Sequence, residues 1–252
     1  MEATINFELA VYLAWFTGIL LLISFIKFFP CYWQAHQVYA FDKPKKELLI
    51  GLILIALLVL ISSGFYYIDN PLKEILSNKD VRFIVNLAIV YSPLWIYLII
   101  KKQGLKTCFI SSDKIIFKII AGIVAALAAS FVFLLIRGLH FRYLDYLSTL
   151  FNYSPGQLLQ TFLEGFVIGF ALYRFYAVVR PVWAAAIVAI IFMLAHIPSY
   201  VTGMGISVAD TSVLIAAHTG ISFFIFFSLN KIQDVISIFF IHWFINAATG
   251  YQ

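Results

Sequence analysis

Residues 158–176 read LLQTFLEGFVIGFALYRFY. Before its basic end, this run of nineteen residues has one ionisable side chain, Glu164. It is too long and too continuous for a membrane-barrel strand, where apolar and polar residues alternate over about ten positions. It has the length, about 20 residues, that a helix needs to cross the hydrocarbon core. Only helices and closed barrels satisfy every backbone group inside lipid. The stretch therefore reads as a membrane helix carrying one buried acid.

The rest of the chain repeats this pattern. Apolar segments fall at 7–28, 46–68, 82–101, 115–137, 157–179, 181–200, 208–229 and 233–250. Hydrophobic residues make up 63% of the 252 and charged residues 12%. Mean hydropathy is +0.98. Soluble domains hold about 45–50% apolar and about 25% charged residues, so a water-soluble globule is excluded. A disordered chain, a coiled coil and a disulfide-rich secreted module are excluded on the same grounds. The expected fold is all-α: one polytopic helix bundle over 1–252 with about eight transmembrane helices. Residues 1–149 supply the first spans and 150–252 a core that carries the chemical motifs.

The net charge of +5 comes from bases scattered through loops, which does not suggest a nucleic-acid partner. The start, MEATINFE, has no Lys or Arg ahead of the first apolar run. It reads as an uncleaved first helix rather than a secretory signal. With the N-terminus outside, 12 bases fall on the inner side, Lys118 and Arg174 among them, and 5 on the outer side. Cytoplasmic loops carry the excess of Lys and Arg, so both termini are expected outside. The short loops fit a bacterial plasma membrane. Tyr66, Tyr67, Tyr143, Tyr153, Tyr176, Trp183 and Tyr200 stand near span ends, where interfacial anchors gather. Segment 28–46, FFPCYWQAHQVYAFDKPKK, reads as an amphipathic loop or as a piece lying along the inner surface. Cys31 and Cys108 are isolated from each other and read as ordinary thiols.

An ionisable group inside a span costs roughly 2.5–3.5 kcal/mol on insertion scales, so each one needs a reason. Glu164 is one such group. Three imidazoles are the others: His196 in IIFMLAHIPSY, His218 in LIAAHTGISFF and His242 in FFIHWFINAATG. His36 and His140 fall in loops. At about 1.5 Å rise per residue, Glu164, His196 and His242 come within a turn or two of one depth. Asn246 shares a helical face with His242 at i, i+4. A carboxylate beside an imidazole can hold and deprotonate a water. A second imidazole and an amide can stabilise the oxyanion formed on an amide carbonyl. The bland alternative for each is a hydrogen bond to a neighbouring helix. Glu164, His196 and His242 also have the ligand types of a zinc site, two His and one carboxylate, although H-E-x-x-H is missing.

These residues resemble the CAAX-protease and bacteriocin-processing (CPBP, Abi) family of intramembrane endopeptidases. That family has E-E-x-x-x-R, F-x-x-x-H and H-x-x-x-N/D in successive late spans. Here Phe192-Met-Leu-Ala-His196 matches the second motif and His242-Trp-Phe-Ile-Asn246 the third. The likeness covers residues 150–252. The first motif departs from the pattern. With Glu164 as its first glutamate, Gly165 replaces the second and Gly169 the Arg. With Glu164 as its second, Leu163 and Ile168 stand at those places. The resemblance implies metal-free, glutamate-activated water: Glu164 as general base, His196 holding the water, His242 and Asn246 at the oxyanion. It implies a peptide or membrane-anchored protein as substrate. In the second register the base is lost, and the chain becomes a scaffold or immunity protein. A transporter is the third class; no internal repeat supports it.

Overall fold

The computed structural model describes residues 2–30, 41–67, 75–150, 154–198, 200–201 and 208–250. Segment 31–40, with Cys31 and His36, lies outside the described residues, as does Tyr153. The described residues form helices and turns, with no strand among them. The helices are α1 (Glu2–Phe28), α2 (Pro44–Tyr67), α3 (Lys79–Ile100), α4 (Ile115–Ile136), α5 (Tyr143–Thr149), α6 (Pro155–Tyr176), α7 (Pro181–Leu194), α8 (Val208–Ile232) and α9 (Val235–Thr249).

Six helical stretches are long and apolar enough to cross a membrane: Phe7–Phe28, Pro44–Gly64, Lys79–Ile100, Ile115–Ile136, Pro155–Tyr176 and Leu214–Ile232. This composition is compatible with an integral membrane protein. The other two expected spans are helical but shorter, 14 residues in α7 and 15 in α9. At 1.5 Å per residue they reach about 21–23 Å, less than the ~30 Å hydrocarbon core. α7 ends at Leu194, where the chain turns through Ala195 and His196. α8 ends at Ile232, Gln233 takes a left-handed φ of 49°, and Asp234 caps α9 by accepting from Ser237 N at 2.7 Å.

The chain divides into two compact units. The first comprises residues 1–36, 110–165 and 231–252. In it α4 packs against both α1 and α9. A Cβ on Gly122 would stand 2.9 Å from Ser237 Cα and 3.0 Å from Ser237 O, so the backbones of α4 and α9 touch there. Small residues make such approaches possible where lipid offers no hydrophobic drive for helix association. Lys118 on α4 is buried and pairs with Asp234 at 3.5 Å. Burial pushes the Asp234 carboxyl up from its ordinary value, against the pull of Lys118 and Ser237.

The second unit comprises residues 37–109 and 166–230. Its α2 packs on α3, and Trp95 of α3 stacks on Phe166 of α6 with centroids 4.5 Å apart. Arg174, in the last turn of α6, is 0% exposed.

Two of the bases assigned to inner loops therefore lie elsewhere: Lys118 and Arg174 are buried in helices. Each has found internal polar partners, which is the condition for keeping a charge out of water.

Candidate functional site

The first unit brings together one acid and one imidazole. Glu164, the tenth residue of α6, and His242, the eighth of α9, face each other with Oε2 and Nε2 3.8 Å apart. Their side chains are 18% and 20% exposed respectively. Both are thus mostly withdrawn from solvent without being sealed from it. Gln160, one turn earlier on α6, donates from Nε2 to Glu164 Oε1 at 2.9 Å. The amide holds one carboxylate oxygen and leaves the other toward His242. The indole of Trp15 on α1 lies against the His242 ring, centroids 5.6 Å apart and planes tilted by 50°. Three helices of one unit thus fix the pair.

Local sequence explains the approach. Gly165 follows Glu164, and a Cβ built on it would meet Val235 Cγ1 at 2.9 Å. The absent side chain lets α6 come close to the first turn of α9, from which His242 projects two turns later. Asn246, on the next turn of α9, is half-buried. Its backbone oxygen accepts from Thr249 Oγ1 at 2.8 Å. The indole N–H of Trp243 is buried and has no hydrogen-bond partner among the described residues.

His196 belongs to the second unit. It sits in the turn after α7, half-buried, with Nδ1 2.8 Å from the carbonyl of Phe192. A carbonyl only accepts, so Nδ1 carries the proton and Nε2 is the basic nitrogen of the neutral ring. Phe192 and Tyr200 flank the ring at 4.6 and 5.9 Å between centroids. His218, on α8 in the same unit, is half-buried. His140 is exposed.

Among the described residues, no group of three His, Cys, Asp or Glu side chains stands close enough together to hold a metal. The first unit offers two such donors at one place, Glu164 and His242.

The second unit holds a polar cluster that the sequence did not signal. Arg174 donates from Nη1 to its own helix at Phe170 O, 3.0 Å, and from Nη2 to Gln103 Oε1, 2.5 Å. Gln103 in turn donates to Glu47 Oε2 at 3.0 Å. Tyr97 OH donates to the same Glu47 oxygen. The guanidinium carbon stands 3.4 Å over the Phe170 ring, with Phe41 and Tyr97 rings at 5.5 and 5.6 Å. A Cβ on Gly51 would meet Arg174 Cδ at 2.8 Å, so α2 is glycine-bare where the arginine passes. Arg and Glu here neutralise each other through a glutamine and a phenol. The only sequence sign was a base near a span end, and a basic span end normally means solvent.

No family model, curated protein or solved structure matches the chain.

Proposed function

We propose that this chain is an intramembrane peptidase of the CPBP kind, with Glu164 as general base and His242 beside it. The observation that carries the reading is the 3.8 Å approach of Glu164 Oε2 to His242 Nε2 inside a bundle of apolar helices. That separation has room for one water hydrogen-bonded to both atoms, about 2.8 Å from each. Glu164 takes a proton from the water, and the hydroxide adds to the carbonyl carbon of the scissile amide. A ring N–H of His242, with the amide of Asn246 one turn on, stabilises the oxyanion. The proton held by Glu164 passes to the amide nitrogen as the C–N bond breaks. The resemblance also implies that His196 holds the water; His196 belongs to the second unit, and the steps above draw only on residues of the first. The substrate class is a peptide or membrane-anchored protein in a bacterial plasma membrane, with both termini of the enzyme outside. No cofactor enters these steps.

A second reading is favoured by one observation. Both terminal nitrogens of Arg174 are committed within the second unit, so it does not replace the arginine missing from the first motif. In this reading the chain is a non-catalytic scaffold or immunity protein that binds a membrane or cell-envelope partner.

The test is reconstitution of the full chain in vesicles with bacterial membrane proteins, followed by mass spectrometry of newly formed peptide termini. The peptidase reading expects new termini that vanish with Glu164→Gln at equal expression. Equal products from wild type and Glu164→Gln reject it. A partner that copurifies equally with both proteins favours the scaffold.

A further inference from the structure

Residues 137–149 join the end of α4 to the approach of α6, two helices long and apolar enough to cross a membrane. Only Gly138 and Leu139 separate Arg137, the C-cap of α4, from a 3-10 turn, His140–Arg142, which runs directly into α5. So short a tether leaves the segment at the boundary of whatever layer α4 crosses.

The segment is anchored by one face. Tyr146 is fully buried and donates to Phe244 O of α9 at 2.7 Å. Tyr143 donates to Leu127 O of α4 at 2.7 Å and packs edge-on against Phe131. Leu150, one turn beyond Tyr146, is buried as well. The opposite face carries Phe141 and Leu144, 75% and 80% exposed. A single exposed apolar residue means little. Two at i, i+3 on a short element pinned by two tyrosines make a fixed apolar edge directed away from the protein.

The surrounding groups suit a lipid boundary. The Arg137 guanidinium lies over the Phe7 ring at 5.3 Å, and Arg142 Nε is 4.0 Å from Asp145 in an exposed pair. Guanidinium groups beside an apolar edge match phosphates beside acyl chains. Interfacial helices bury their apolar face about 5–10 Å into the headgroup region.

We propose that residues 137–149 form a lipid-interface anchor, with Phe141 and Leu144 entering the bilayer boundary and Arg137 and Arg142 at the phosphate level. The inference is independent of any peptidase activity. It makes the anchor part of the first unit, the unit that carries Glu164 and His242.

The test uses the full chain with Cys31→Ser, leaving Cys108, which is buried. Phe141→Cys, Leu144→Cys and Asp145→Cys are spin-labelled one at a time. The unsubstituted background measures any labelling of Cys108. Each protein is placed in vesicles of phosphatidylethanolamine and phosphatidylglycerol, and collision with oxygen and with a water-soluble nickel complex is read. Labels at 141 and 144 should show an oxygen-to-nickel ratio several-fold above that at 145. Equal ratios at all three would put the segment in water and overturn the proposal. Low collision with both reagents at 141 and 144 would mean that protein covers them, and overturns it equally. Phospholipids with a diazirine near the headgroup give a second measurement on the unsubstituted chain. Adducts should appear on the peptide holding Phe141 and Leu144. Adducts on the spanning helices with none on that peptide would overturn it.

Discussion

The imidazole of His242 faces the carboxylate of Glu164 across two helices, Nε2 to Oε2 at 3.8 Å, while Gln160 holds the other carboxylate oxygen. That arrangement has a direction. One oxygen is occupied by an amide of its own helix, and the other is turned toward a group able to share a proton. An acid kept only for helix packing would be served by the amide alone. The imidazole adds a second partner whose ring nitrogens can donate or accept a hydrogen bond.

From this relationship the first prediction separates the acid from the imidazole. Positioned general bases contribute about 10²–10⁴-fold to rate. Glu164→Gln should lower the appearance of new peptide termini by that range. His242→Gln, which keeps an amide at the oxyanion, should lose less than His242→Leu. The check is the rate of terminus formation in vesicles, with the amount of folded protein read from gel filtration in detergent. Equal rates for the two His242 variants would remove the imidazole site from the mechanism.

A second prediction concerns the departure from the family motif. In one register the second glutamate falls at position 165. A side chain there meets Val235 Cγ1, since even a Cβ comes within 2.9 Å. Overpacking costs about 1–3 kcal/mol. Gly165→Ala should therefore lower the unfolding midpoint, and Val235→Ala should relieve the loss in the double variant. Coupling between touching residues is the expected sign of a shared contact. Thermal unfolding of the four proteins in detergent measures it. Additive losses would place the cost elsewhere.

Much of this architecture is written in the chain, and the part that is not has a physical reason. Each of the eight apolar segments contains a helix, and six of these are long and apolar enough to cross a membrane, because a run of about twenty apolar residues admits few alternatives. Span length is less legible. The stretch 181–200 is apolar throughout most of its length, yet the helix stops at Leu194, and composition does not mark where a chain turns within protein rather than at the lipid boundary. Glu164 and His242 stand out because ionisable residues in apolar runs are rare. Lys118 and Arg174 look like ordinary basic span ends. Only the fold shows that Asp234 and, through Gln103, Glu47 come to meet them. Hydrogen bonds between residues 50 to 71 positions apart leave no periodic trace.

The Arg174 cluster yields a third prediction. Removing a buried donor leaves its acceptors short of a hydrogen bond, at about 1–3 kcal/mol, and the partners here, Gln103 and Glu47, are half-buried. Arg174→Ala should cost stability on that scale. Arg174→Lys should not restore it, because an ammonium lacks the flat face that lies on Phe170 and the fork that reaches both Phe170 O and Gln103. Gly51→Ala should destabilise the native protein, where its Cβ meets Arg174 Cδ, and be nearly neutral beside Arg174→Ala. Chemical unfolding of the full chain in mild detergent compares the four. A fully stabilising Lys would show that charge alone matters there.

The last prediction reads burial through thiol chemistry. Cys108 ends a 3-10 turn outside the spanning helices, and it is fully buried. Burial pushes its thiol up to about 11, against the pull of the Arg174 guanidinium and the Thr107 hydroxyl. The thiolate is the reactive form, and at pH 8 a group with that value is ionised in about one molecule in a thousand. In the Cys31→Ser protein, maleimide at pH 8 should therefore modify Cys108 at least about a hundred times more slowly in the folded chain than after denaturation in detergent. Raising the pH toward 10 should speed the folded reaction roughly tenfold per unit, as the thiolate fraction rises below its midpoint. A folded rate that is flat with pH would mean that opening of the turn, rather than ionisation, limits access. Arg174→Ala should then distinguish the two: loss of the guanidinium removes a group that favours the thiolate, yet loosens the packing that excludes the reagent. A rise in rate with an unchanged pH slope would assign the protection to packing, whereas a fall would assign it to charge.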